Sequence, residues 1–377
     1  MTHRQRVMTA FAHQQPDCVP IDFGGTRVSS IVVEGYQRLQ THFGVRSPIV
    51  QCDRMMRVVE IDEQILRRLD TDTRAMNMPS LLRTPTVELP NGYRDGWGIE
   101  RFCDPGSYYC DQKAYPLAGD ISLADIDRYP WPYADDPGVT VGLRDRLRDI
   151  RQNTDCAAVL SLSAPFVHAS QYLRGFEDWY MDFLLNPSLL EALFDRVLDL
   201  NMAWARRQLL EVGNDIDIVI CSDDLGTQNG LQVNRELYLK FIKPRHEKFF
   251  RQVHELTSAK LALHCCGSVV SIIDDLIDIG VQGLNPVQTS AAGMVPSELK
   301  KKYRGRMLFW GAMDTQSVLP HGSVSDVKRM VEQRVEELGE GGGYIVAPCH
   351  NIQPDVPVEN IMAMYEHARE YVPSYMK

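Results

Sequence analysis

Two hydrophobic periods alternate along the chain. Short continuous apolar runs recur, each followed by a polar loop and then by a stretch whose apolar positions fall three or four apart. The first pattern predicts buried strands and the second amphipathic helices. Residues 3–13 read as a helix carrying Val7, Met8 and Phe11 on one face, ended by Pro16-Asp17. Residues 18–23 read as a first strand, 30–43 and 58–69 as helices, and 73–77 as a second strand.

Residues 80–135 break this rhythm with Pro85, Pro90, Pro105, Pro116 and the turn pairs Asn91-Gly92 and Asp95-Gly96. Asn91-Gly92 signals a hairpin. The whole segment reads as an insertion laid over one end of the domain, without a core of its own. From residue 140 the alternation is regular. Apolar strands at 157–161, 216–221, 260–264, 282–285, 306–310 and 343–347 are separated by helical stretches, and a helix over 357–371 closes the chain. With the two N-terminal strands this makes about eight β/α units, the pattern of a parallel sheet in an α/β fold. A closed (β/α)8 barrel takes ~250 residues, so the surplus accommodates the N-terminal arm and the insertion. The expectation is one barrel domain over residues 1–377, with 80–135 capping its C-terminal face.

Composition narrows the function classes. The 377 residues are 44% hydrophobic and carry a net charge of −10, with no lysine/arginine cluster interleaved with aromatics, so nucleic acid is not an expected partner. No apolar run is long enough for a membrane span, and no apolar segment follows Met1–Arg6 as in a signal peptide. Nine cysteines, an odd number without disulfide-framework spacing, point to a reduced, cytoplasmic chain whose thiols stay free or bind metal.

In a barrel the active site lies at the carboxyl ends of the strands, and polar residues follow the apolar runs directly here. The strand 260–264 ends in His264-Cys265-Cys266, and the strand 343–347 leads into Cys349-His350-Asn351. Side chains alternate along a strand, so His264 and Cys266 face the barrel mouth and Cys265 the helices. With Cys349 they form a donor set suited to a zinc ion with an open fourth position. A zinc-bound thiol loses its proton, so the natural chemistry is thiolate activation. A carboxylate of Asp223, Asp224 or Asp314 can fill the fourth position when substrate is absent. Cys18, Cys52, Cys103, Cys110, Cys156 and Cys265 read as structural.

Around this set, Asp223 and Asp224 either bind a cation, orient substrate or cap a helix. Asn285 and Gln288 hydrogen-bond substrate or loop amides. His350 is a proton donor, a partner that orients a ligand or a rim residue. Trp97 and Tyr93 roof an apolar small-molecule substrate or simply pack. Gly341-Gly342-Gly343 precedes its strand, opposite the site, and reads as a turn.

Several segments resemble the uroporphyrinogen decarboxylase superfamily: Arg6-Val-Met-Thr-Ala-Phe11 with Pro16-Asp17 and Val19-Pro20, Tyr129-Pro-Trp-Pro132, Leu284-Asn-Pro-Val-Gln288, Phe309-Trp-Gly311, and Cys349-His350-Asn-Ile-Gln-Pro354 with Pro357-Val-Glu-Asn360. The resemblance implies a (β/α)8 barrel. The His264-x-Cys266 pair with distant Cys349 is similar to the zinc-dependent corrinoid methyltransferase branch, whose members move methyl groups between corrinoid proteins, thiols such as coenzyme M, and methylated compounds. It implies zinc at His264, Cys266 and Cys349. By their positions at the strand ends and in the insertion, Asp223, Asp224 and His350 are the catalytic candidates and Asn285, Gln288, Asp314 and Trp97 the candidate substrate contacts. The chain has no Asp-x-His-x-x-Gly corrinoid-ligand motif, so any cobalamin comes from a partner corrinoid protein or is bound in a different way. The decarboxylase branch fits less well, because the loop after the first strand, Gly24–Ser30, holds a single arginine, Arg27. His350 matches that branch's ending, which keeps tetrapyrrole decarboxylation as the runner-up. A non-catalytic corrinoid or metal carrier is the third reading.

Overall fold

A computed structural model of the chain describes residues 1–377. Seven strands form one parallel sheet: β1 (Thr73–Met76), β2 (Ala157–Ser161), β3 (Ile218–Ser222), β4 (Lys260–His264), β5 (Gly283–Val287), β6 (Leu308–Met313) and β7 (Tyr344–Pro348). They neighbour one another in chain order, with helices in the connections. The fold is α/β and TIM-barrel-like.

The expected first strand, 18–23, contracts to a single bridge between Ile21 and Val346. The Asp22 amide donates to the Val346 carbonyl (2.8 Å) and the Asp72 amide to the Ile21 carbonyl (2.9 Å), so this segment touches both edges of the sheet. It cannot form a longer ladder. Pro20 has no N–H, and the Ile21 N–H is taken by the Asp72 carboxylate (2.7 Å).

Inward-facing residues of alternate positions, among them Ala157, Val159, Ile218, Ile220, Ala262, Leu308, Trp310, Ile345 and Ala347, pack into one inner cluster with Val7, Ala10 and Phe11. The N-terminal helix His3–Phe11 therefore closes the end of the sheet where the strands begin. A larger cluster lies between the outer strand faces and the surrounding helices.

One predicted helix is shorter than expected, and the helical stretch that follows β2 is broken. Over 58–69 only Glu63–Arg68 is helical. The β-branched pair Val58–Val59 instead joins Gln51–Asp53 in a small antiparallel pair, and the Asp62 side chain caps the helix by accepting from the Gln64 amide (2.8 Å). Over 166–185 the helix divides into Val167–Arg174 and Phe176–Leu185 at Gly175, whose φ of 85° is outside helical space.

Within the insertion, Val87–Leu89, Gly92–Arg94, Glu100–Phe102 and Asp111–Gln112 form a four-stranded antiparallel sheet. Leu89 pairs with Gly92, so the hairpin forms where Asn91-Gly92 signals it, but its turn residues are Pro90-Asn91 and Gly92 already belongs to the strand. Ile99, Leu117, Ile126 and Trp131 belong to the main hydrophobic cluster. The reading of all thiols as free is corrected here: Cys103 and Cys110 form a disulfide. Pairing of Phe102 with Asp111 places the two cysteines at adjacent strand ends, a proximity that their spacing in the chain does not reveal.

Candidate metal centre

The site begins with the alternation of β4. Ala262 belongs to the inner cluster, and His264, two residues on, faces the same interior higher up. Its Nδ1 lies 2.6 Å from Asn285 Oδ1 on β5. An amide oxygen only accepts, so Nδ1 carries the proton and Nε2 presents its lone pair. Cys266 Sγ stands 3.4 Å from that Nε2. The rings of His264 and His350 are 5.6 Å apart, centroid to centroid. The donor atoms of His264, Cys266 and His350 all lie within 4.8 Å of one another.

Glycines let the next loop approach this group. A Cβ on Gly267 would sit 2.6 Å from the Gly226 carbonyl carbon, so neither loop tolerates a side chain at the contact. The approach brings Asp224, just beyond β3, to Cys266. One Asp224 oxygen accepts from the Cys266 amide (2.7 Å) and lies 4.0 Å from His264 Nε2. The other lies 3.4 Å from His168 Nε2.

Asp223 and Asp224 have opposite environments because strand alternation continues through them. Asp223 is fully buried behind the sheet, where it accepts from the amides of Phe166 (3.1 Å), Val167 (3.2 Å) and His168 (3.0 Å) and meets His246 Nε2 at 3.1 Å. It caps the helix Val167–Arg174 and does not reach the cavity. Asp224 lines the cavity.

Electrostatics match these positions. Burial pushes the His350 imidazole down to about 4, helped by His264. Burial also lowers His264, against the opposing charge of Asp224. Both rings are therefore neutral and available as donors. Burial raises the Cys266 thiol well above its ordinary range, and Asp224 adds to that effect. Burial disfavours charge on His168 and Asp224 alike, but their hydrogen bond and mutual attraction prevail, raising the imidazole and lowering the carboxyl.

Two imidazoles and one thiol are a donor set that zinc accepts. On a tetrahedral ion, bonds of ~2.0–2.3 Å separate two donors by roughly 3.3–3.8 Å. The 3.4 Å between Cys266 Sγ and His264 Nε2 already matches this, and His350 has to close in on them by up to about 1 Å. His264, Asp224 and His350 open onto a cavity of about 840 Å³, whose walls come from the C-terminal strand ends, from residues 27–28, 51–56 and 77–115, and from the helices that follow β2.

Comparison with known proteins follows the same lines. The model of the family described as uroporphyrinogen decarboxylase (URO-D) matches residues 120–371. The chain belongs to this family. Within it, the chain is 28% identical over 189 residues to the methylcobamide:CoM methyltransferase MtaA of Methanosarcina barkeri (strain Fusaro / DSM 804), covering 48% of this chain and 49% of that protein. A second Methanosarcina barkeri protein of the same description is 27% identical over 186 residues. The chain thus spans about half the length of the curated relatives it matches. A solved methyltransferase from Methanosarcina mazei superposes with a TM-score of 0.65 at 18% identity, covering 98% of this chain and 99% of that one. At that identity the likeness speaks for the shared fold alone.

The other expected positions of this URO-D family member divide clearly. Cys349 stands just outside the donor group: its thiol donates to the Val287 carbonyl (3.1 Å), burial holds its pKa up at about 12, and it lies near enough to Cys266 to help raise that thiol. The chain turns out of β7 after Pro348, so alternation no longer applies and His350 faces the cavity. Asn285 holds the His264 ring. Gln288 accepts from the Gly267 amide (2.8 Å) and shapes the loop. Asp314 caps a turn through the amides of Gln316 (2.7 Å) and Ser317 (3.1 Å), away from the cavity lining. Trp97 does line the cavity, edge-on to Trp204 at 5.4 Å. Sequence reasoning missed His168, Tyr172 and Arg101. Only His168 had a signal, a histidine shortly after the strand end Ser161-Leu-Ser163.

Proposed function

We propose that this protein is a zinc-dependent methyltransferase that moves a methyl group between a cobamide and a small thiol. The observation that carries the reading is the cluster of His264, Cys266 and His350 at the strand ends, facing a cavity of substrate size. The names of its Methanosarcina barkeri relatives supply the reaction class. His264, Cys266 and His350 hold the metal in this reading, with His350 in the place first expected of Cys349. Bound zinc there supplies Lewis acidity that favours the thiolate form of a coordinated thiol near neutral pH.

The chain's own residues set up this chemistry. Asn285 fixes the His264 tautomer, the role of a partner that orients a metal ligand. Asp224 holds the Cys266 amide, and His168 in turn holds Asp224. The insertion 80–135 acts as the cap that encloses substrate and limits water. Without a corrinoid-ligand motif in the chain, the cobamide comes from a partner corrinoid protein or as the free cofactor. A tetrapyrrole bearing many carboxylates is a poor substrate, because Arg27 and Arg54 in the cavity wall are already hydrogen-bonded to Asp53 (3.4 Å) and Glu88 (2.5 Å).

The test offers the purified protein methylcobalamin with a panel of thiols, and uroporphyrinogen in a parallel reaction. Thiol methylation that disappears in His264→Ala and on chelation, and returns with added zinc, is the expected result. Decarboxylation that persists without zinc would replace this reading with the decarboxylase one. Stoichiometric cobamide binding with no product would favour a carrier.

A further inference from the structure

A second group of metal-binding side chains stands at the opposite end of the sheet, where the strands begin. A nitrogen of His3, an oxygen of Asp155 and the thiol of Cys156 lie within 4.8 Å of one another. His3 opens the N-terminal helix, and Asp155-Cys156 lead directly into β2. His3 and Asp155 are 152 residues apart in the chain, yet their backbones are tied together. One Asp155 oxygen accepts from the His3 amide (3.2 Å), and the Asp155 carbonyl accepts from the Arg4 amide (2.8 Å). The other Asp155 oxygen meets His3 Nδ1 at 2.7 Å. Cys156 is 2% exposed, and its thiol has one distant partner, the Thr71 carbonyl at 3.5 Å. Arg74 flanks that thiol, but its guanidinium is taken by Glu63 (2.8 Å) and the Thr71 carbonyl (3.0 Å). The group borders a cavity of about 420 Å³ that Asp70 also lines.

The His3 ring decides what this group can hold. Its Nε2 meets Asp70 Oδ1 at 2.9 Å, so both ring nitrogens face carboxylate oxygens. An ionised carboxylate only accepts, and a neutral imidazole has a single N–H. The neutral ring therefore satisfies one carboxylate and turns a lone pair toward the other. A cation removes the conflict, either a second proton on the ring or a metal ion. The proton would serve the two carboxylates and leave the neighbouring thiol idle, whereas a metal ion uses imidazole, carboxylate and thiol together. With Nδ1 on the metal, Nε2–H donates to Asp70, the carboxylate–histidine arrangement that orients imidazole ligands in zinc sites. Asp70 is itself held by Arg369 (2.7 Å). We propose that His3, Asp155 and Cys156 form a second, structural zinc site that fastens the N-terminal helix to the start of β2, with Asp70 as the positioning residue for His3. One thiolate and one carboxylate balance the charge of a divalent ion, and the fourth position takes a water. Binding releases the Cys156 proton to solvent. Nitrogen and oxygen ligands on a tetrahedral zinc are about 3.3 Å apart, so the contact between His3 and the half-exposed Asp155 carboxylate opens by roughly 0.6 Å to admit the ion.

The experiment reads zinc and not turnover, so it stands apart from the proposed reaction. The purified full chain is loaded with zinc, desalted and submitted to elemental analysis. Cys156→Ser and His3→Ala are each expected to hold one equivalent per chain less than the wild type, whatever the His264 site holds. Asp70→Ala is expected to weaken the same site roughly 10- to 100-fold, measured by competition with a chelator. Stability gives a second readout. Zinc added to metal-free His264→Ala should raise its melting temperature, and the gain should vanish when Cys156→Ser is added to that variant. Cobalt(II) supplies a third, because a thiolate-to-cobalt charge-transfer band in His264→Ala that disappears with Cys156→Ser identifies the thiol as a ligand. Equal zinc content in wild type, Cys156→Ser and His3→Ala overturns the proposal. So does a melting temperature of His264→Ala that zinc leaves unmoved while His3→Ala lowers that of the metal-free protein, because His3 is then an ion-pair staple alone.

Discussion

The two ends of the sheet use the same kinds of buried polar group in opposite ways. Where the strands begin, two buried carboxylates are each held by a pair of arginines. Asp72, fully buried before β1, meets Arg6 at 2.5 Å and Arg369 at 2.8 Å. Asp217, before β3, meets Arg4 at 2.6 Å and Arg151 at 2.8 Å. These pairs fasten the N-terminal helix and the C-terminal helix Val358–Glu370 to the sheet. Where the strands end, Asp224, His264, Cys266 and His350 gather without an arginine among them. At one end these charges are matched within the chain. At the other the donors stay available to a reacting ligand. Stability and chemistry are separated along the strand axis, as the barrel architecture favours.

The largest expected effect tests the stabilising end. Asp72→Ala leaves two arginines facing a buried vacancy and is expected to cost about 3 to 5 kcal/mol, read from urea unfolding, while the folded fraction keeps the metal at His264. Loss of that zinc in folded Asp72→Ala would show that the two ends are coupled.

A converse effect belongs to the other end. Asn285→Ala frees the His264 ring and is expected to weaken zinc binding roughly 10- to 100-fold, measured by competition with a chelator. The melting temperature should shift much less than in Asp72→Ala. Unchanged zinc affinity would remove Asn285 from the site.

Acid sharpens the contrast further. Burial alone would raise the Asp17 carboxyl, but hydrogen bonds from Arg6 and the N-terminal ammonium hold it below its ordinary range. Its folded pKa is depressed, so its contribution is complete above the ordinary carboxylate range of ~4 and is lost as pH falls through the lowered value. Urea midpoints at neutral pH and near pH 2.5 should therefore diverge more for the wild type than for Asp17→Asn. Equal acid sensitivity in the two proteins would dismiss the Asp17 pairs as stabilising.

The smallest expected effect is at Cys349. Cys349→Ser should leave zinc content unchanged, because its thiol faces the Val287 carbonyl, whereas His350→Ala should lower it. The reverse outcome would restore Cys349 as the third ligand.

Much of this arrangement was legible in the chain. Continuous apolar runs separated by helical periods identified six of the seven sheet strands, from β2 to β7, and residues 73–77 located β1. Alternation along β4 placed His264 and Cys266 on one side and Cys265 in the core, where it is fully buried. These features are local: a strand's period and its end are properties of neighbouring residues. Which of His350 and Cys349 stands nearer to His264 and Cys266 was not local, because it depends on how the chain leaves β7 against the Val287 carbonyl of β5. Alternation carried past β3 already put Asp223 and Asp224 on opposite faces, but the capping of the helix Val167–Arg174 by Asp223 depends on residues distant in the chain. The Cys103–Cys110 disulfide depends on antiparallel pairing in the insertion. Sequence by itself determined the periods, and therefore the strands, their order and the residues at their ends. Only the tertiary structure decided which of those residues share a cavity and which are bonded elsewhere, because hydrogen-bond partners distant in the chain settle where each polar side chain is directed.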